Sequence, residues 1–124
     1  MSIEDLEKKN FGNPDDAPTE LVRRCLELCR QPIDKFTLED LRLMIGQGFS
    51  LQYLIPMALQ YLKDDIYVEA DFYPGDLLNN VLWVDARFWV LHRELWKEVN
   101  ELIKDKREEL LAIEISTELF DTAS

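Results

Sequence analysis

Apolar residues in this chain return every third or fourth position, and proline or glycine cuts the pattern into helix-length pieces. Leu21, Val22, Cys25, Leu28 and Cys29 form one such stripe from Thr19 onward, and Pro32 prevents easy continuation past Gln31. Thr37 offers an N-cap oxygen with Asp40 three residues on, a capping-box variant, ahead of the stripe Leu38, Leu41, Met44 and Ile45; Gly46 or Gly48 should end that helix. Leu51, Leu54, Ile55, Ala58, Leu59 and Leu62 predict a third helix, which Pro56 must kink or restart. No stretch alternates β-branched residues strictly between hairpin turn signals, and no internal repeat is present. The expected fold is all-α, a compact bundle of about five or six helices.

Residues 64–76 interrupt the periodicity. Here Tyr73-Pro74-Gly75-Asp76 suits a type II turn, and Asp76 is then placed to cap a helix carrying Leu77, Leu78, Val81 and Leu82. Asp85 is the next expected cap, followed by a single long helix with Phe88, Leu91, Leu95, Val99, Leu102 and Ile103 on one face. Lys97 with Glu101 and Lys104 with Glu108 are spaced for ion pairs on its solvated side. Ile113, Ile115, Leu119 and Phe120 are placed to dock as a last helix. Gly12, Pro14 and Pro18 break up the opening, so residues 1–18 read as a loosely held arm on a single domain spanning 1–124.

The length of 124 residues allows one core, and 47% hydrophobic with 31% charged residues is ordinary for a globular protein. The most apolar segment, 49–62, is broken by Gln52, Pro56 and Gln60, so no membrane span is expected. The N-terminus mixes acids and lysines without an apolar signal region, which points to the cytoplasm. A net charge of −11 repels nucleic acid and anionic lipid and attracts a basic partner, although acidity also serves solubility alone.

Candidates for chemistry are few. Cys25 and Cys29 share a helix face as core thiols or as half of a metal site, but no second cysteine pair exists and His92 is the only histidine. His92 has Phe88 and Trp96 as i±4 neighbours and no Gly-x-Ser-x-Gly nucleophile to activate. Gly46-Gln47-Gly48 lacks the third glycine and the preceding strand of a dinucleotide loop. No cofactor is implied.

The acidic segment is the strongest candidate. Asp64, Asp65, Glu69, Asp71 and Asp76 fall within residues 64–76, which contain no Lys or Arg, with Tyr67, Phe72 and Tyr73 interleaved. Glu69, Asp71 and Asp76 would suit a small metal-assisted hydrolase, though not with EF-hand spacing. Asp64, Asp65, Glu69, Asp71, Phe72 and Tyr73 suit a partner-binding surface better than catalysis, with aromatic anchors and carboxylates for Lys or Arg. A purely structural assignment stands beside both: Asp76 as a cap, Phe72 and Tyr73 as core, the other acids solvated. A helical adaptor is a further alternative.

Phe36-Thr37-Leu38-Glu39-Asp40-Leu41-Arg42-Leu43-Met44-Ile45-Gly46-Gln47-Gly48, Leu54-Ile55-Pro56 and Asp71-Phe72-Tyr73-Pro74-Gly75-Asp76-Leu77-Leu78 resemble the immunity proteins of bacterial contact-dependent growth inhibition systems. Phe88-Trp89, His92 and Glu94-Leu95 extend the likeness, while Ala70 stands where the family pattern leads one to expect glycine. The resemblance implies a cytoplasmic protein that is not an enzyme and that binds and blocks a toxin domain delivered by a neighbouring cell. Many such toxins are nucleases, whose basic grooves an acidic protein would cover. The shared motif describes a scaffold more naturally than a contact surface, since each member must recognise a different toxin.

With one histidine and one cysteine pair, EDTA should leave the melting temperature unchanged. A large drop, followed by calorimetry, would show a structural metal.

Overall fold

The computed structural model describes residues 1–124, all of the chain, and contains helices and turns with no strand. In chain order the helices are α1 (Ile3–Glu7), α2 (Glu20–Arg30), α3 (Leu38–Gly46), α4 (Leu51–Asp64), α5 (Asp76–Leu82), α6 (Ala86–Leu91), α7 (Arg93–Ile103), α8 (Arg107–Ala112) and α9 (Glu118–Asp121). The all-α bundle is as expected; α2, α3, α4, α5 and α7 are its principal helices. None is long and apolar enough to cross a membrane.

Local signals set most boundaries. Thr19 caps α2 through the Val22 amide, and Thr37 and Asp40 form a reciprocal capping box at α3. Arg24 also donates to the Asp40 carboxylate at 3.1 Å, tying α2 to α3. α3 ends at Gly46, as expected. Pro56 lies inside a continuous α4, whose face of Leu54, Ile55, Ala58, Leu59 and Leu62 is buried. Burial of that face outweighs the single hydrogen bond that a proline removes.

Three expectations are corrected, one by long-range contacts and two by local geometry. Residues 1–18 are not a loose arm. Ile3 is fully buried, Ser2 and Asp5 form a capping box, the Ile33 amide donates to the Met1 carbonyl, and Glu7 accepts hydrogen bonds from Ser50 and Gln52. Nor is there one long helix after Asp85. Asp85 caps α6 as predicted, but His92 leaves helical geometry (φ −131°, ψ 61°), and its ring Nδ1 lies 2.9 Å from the Phe88 carbonyl. The imidazole also stacks on the Phe88 ring at 4.2 Å. The break turns Leu91 outward, 78% exposed, and frees α7 to take its own direction. The lysines of α7 and its end pair at i,i+3, Lys97 with Glu94 and Lys104 with Glu101, rather than with the i,i+4 acids.

The C-terminus docks through aromatics. Phe120 is fully buried between Trp96, stacked at 5.2 Å, and Trp89, edge-on at 5.2 Å; the Trp96 indole also donates to the Phe120 carbonyl. Arg107 fixes the same segment through Asp121 and Asn100. This docking carries Ile115 against Gly75, the turn glycine of the acidic segment.

Gly75 has φ +89° and ψ 3°, and a Cβ there would stand 2.7 Å from Ile115 Cδ1. Gly75→Ala should therefore destabilise by about 1–3 kcal/mol from left-handed strain and overlap together. Part of that penalty should vanish in an Ile115→Val background, which lacks the overlapping carbon. Urea titration of the two singles and the double tests it: strict additivity would show that the contact plays no part.

Candidate functional site

The acidic segment is folded around its own buried carboxylate. At the end of α4 the Asp65 side chain accepts from the Tyr67 amide at 2.9 Å, reversing the chain. The Gly75 amide then donates back to the Tyr67 and Val68 carbonyls, and Glu69 pairs with Pro74 in an isolated bridge. The Asp76 amide donates to the Tyr73 carbonyl at 3.1 Å, closing the expected turn.

Asp76 itself is not a helix cap. It is the first residue of α5, fully buried, and its carboxylate points back into the preceding loop. One oxygen accepts from the Ala70 amide at 2.7 Å, the other from the Asp71 and Phe72 amides at 2.9 and 2.8 Å. Arg42 Nε of α3 lies 3.2 Å from the second oxygen. Burial opposes ionisation, but the Phe72, Ala70 and Asp71 amides and the Arg42 charge outweigh it and hold this carboxyl below its ordinary range. Ala70 occupies its position with its amide engaged, so the loop closes without a glycine there.

The other residues of the segment face outward. Asp64, Asp65, Glu69, Asp71, Phe72 and Tyr73 are all exposed, Phe72 to 66%. Phe72 and Tyr73 are therefore not core. The Arg42 guanidinium sits 4.3 Å from the Phe72 ring centroid, and Asn79 donates to the Tyr73 hydroxyl at 2.8 Å, so both rings are braced from beneath. Glu69 and Asp71 have neither a hydrogen-bonded nor an ion-paired side chain.

The hydrolase arrangement does not assemble. Asp76 is enclosed by amides and Arg42 while Glu69 and Asp71 are on the surface, and no three His, Cys, Asp or Glu side chains converge to hold a metal ion. The paired cysteines are buried thiols, and burial, with Glu4, Cys25 and Glu7 nearby, pushes Cys29 up to about 12. A thiol in that state is a poor nucleophile or ligand.

Arg42 is the residue that sequence reasoning left unassigned. It lies within the motif read as cap, core and stop, and only the pairing of α3 with α5 brings it to the loop. Asn80 reinforces that pairing by donating to the Arg42 carbonyl at 2.9 Å, close beside Gly46.

Asp76→Asn would replace an acceptor with a donor facing amide N–H groups and leave Arg42 without its counter-charge. A loss of about 3–5 kcal/mol at neutral pH is expected. Because the folded pKa is depressed, wild type keeps this advantage above the unfolded carboxyl value of about 4 and loses it as the pH falls through the lower folded value. Stability curves of the two proteins should converge in acid; a constant gap from pH 7 to 2 would contradict the assignment.

The chain matches a family model described as CDI immunity proteins over residues 5–99, which include α2 to α6, the acidic loop and most of α7. Comparison with curated proteins and with solved structures gives no match. The match takes in the whole Asp76 assembly together with the Arg42 helix that supports it, and it spans well over half of the chain. By that match the chain belongs to the family of CDI immunity proteins.

Proposed function

We propose that the protein protects the cell that makes it by binding the toxin domain of its own contact-dependent growth inhibition system in the cytoplasm, masking it stoichiometrically and catalysing nothing. The toxin on this reading is a basic nuclease domain, and the interface is of the standard size of about 1,600 Å². The observation that carries the reading is the construction of the acidic loop. Its backbone is fixed from within by Asp76, so Glu69, Asp71, Phe72 and Tyr73 are presented on a main chain with little conformational freedom left to lose on binding.

Charge and shape favour a protein partner over a small substrate. The exposed rings supply apolar area, the unpaired carboxylates supply a negative field, and the net charge of −11 extends that field over the whole molecule. A nucleic-acid groove is lined with cations, so an acidic face of this kind is complementary to the surface that a nuclease must keep open. Covering that surface would block substrate without touching the catalytic residues.

Replacing Glu69 and Asp71 together by lysine should slow association with the cognate toxin domain and flatten its dependence on salt, since steering acts on the encounter rate within a Debye length of about 8–10 Å. Both side chains are exposed, so stability should move by no more than about 0.5 kcal/mol. Stopped-flow association at low and high salt, beside a melting curve, checks both statements. Unchanged rates at both salts would remove the loop from the interface.

A further inference from the structure

Beside the acidic loop, Tyr73 and Pro74 face Ile113 and Glu114 across a surface cleft of about 480 Å³. Tyr73 and Ile113 are exposed to 39% and 47%, so the cleft is apolar on both walls with one carboxylate among its lining residues. That carboxylate, on Glu114, has no hydrogen bond or ion pair within the chain, whereas nearby Glu109 is paired with Lys106.

Glu114 also occupies a backbone position that suits glycine. At the end of α8 the Ile115 amide donates to the Leu110 carbonyl and the Glu114 amide to the Leu111 carbonyl, both at 2.9 Å. This is the paired hydrogen-bond pattern of a Schellman helix end, in which the residue at position 114 is left-handed and glycine is the usual occupant. Glu114 adopts it at φ 65°, against the steric preference of a residue with a Cβ. The position lies outside residues 5–99, where the family pattern is shared.

From the cleft and its unpaired carboxylate we infer that Tyr73, Pro74, Ile113 and Glu114 form the seat for one lysine or arginine side chain of the toxin domain, with Glu114 as a residue that selects the partner. The aliphatic stem packs on Ile113 and Pro74, the cation lies against the Tyr73 ring, and Glu114 supplies the counter-charge. The negative field around the cleft favours a cationic occupant: Glu69 and Asp71 are in the adjoining loop, and no Lys or Arg lines the cleft. A carboxylate kept where glycine would be less strained is a stability sacrifice of the kind found where function needs the side chain. The inference rests on the immunity reading above and deepens it, by making the C-terminal turn part of the docking surface.

The test uses the full chain and its cognate toxin domain, with affinity measured by calorimetry or surface binding. Glu114→Gly should melt no lower than wild type, and up to about 4 °C higher, yet bind the toxin domain on the order of tenfold more weakly. Glu114→Lys should weaken binding further. Glu108→Lys, an exposed and unpaired position on α8, makes the same change in net charge and should bind as wild type does. Wild-type affinity in Glu114→Gly, or equal losses in the two lysine variants, overturns the seat while leaving the immunity reading intact. If wild type itself does not bind the toxin domain, both fall.

Discussion

Burying a carboxylate is unfavourable by several kcal/mol unless donors and a counter-charge compensate it, and Asp76 has three consecutive loop amides as donors and the Arg42 charge 3.2 Å away. The arrangement works in both directions. The loop supplies the donors that allow the charge to remain buried, and the charge supplies the only common acceptor that can gather the amides of Ala70, Asp71 and Phe72 into one turn. Gly75 allows the backbone to re-enter α5 immediately afterwards, and Arg42 ties the assembly to α3. Without Asp76 the segment would be an acidic loop repelling itself; with it, the segment is an ordered surface.

The second constraint is aromatic and lies at the other end of the chain. The break at His92 lets α6 and α7 approach Phe120 from two directions, so that Trp89 meets it edge-on and Trp96 stacks on it. An uninterrupted helix would carry both tryptophans along a single axis. Closing this cluster brings α8 and the turn after it alongside the acidic loop, where Ile115 packs on Gly75. Phe120, far beyond the loop in sequence, therefore helps decide what the loop leans against.

Two sets of acids in this protein serve different ends. Asp40, Asp76 and Asp121 are held by arginines from other helices and serve the fold. Glu69, Asp71 and Glu114 are exposed and unpaired, on a surface that also displays Phe72, Tyr73 and Ile113. The net charge of −11 counts both groups alike, so composition by itself does not locate a contact surface.

Periodicity, caps and breakers are local, and the sequence by itself determined what they govern: an all-α chain, the boundaries at Thr19, Thr37, Gly46 and Asp85, the turn at residues 73–76, and the family likeness carried by the same motifs. It also marked residues 64–76 as exceptional, because charge and aromatic content can be read without coordinates. The tertiary structure alone decided that Asp76 serves the loop before it rather than the helix after it, that Phe72 and Tyr73 face solvent, that residues 1–18 are docked, and that α6 and α7 are separate helices. In each case the deciding partner is distant in sequence or competes with a plausible local one: Arg42 for Asp76, Ile33 and Ser50 for the N-terminus, Phe120 for the two tryptophans. A carboxylate at a helix start can satisfy its own helix or another segment, and the two options look alike in sequence. Only the packed fold, by bringing the Arg42 charge and three free amides to one side of it, made the second the lower in free energy.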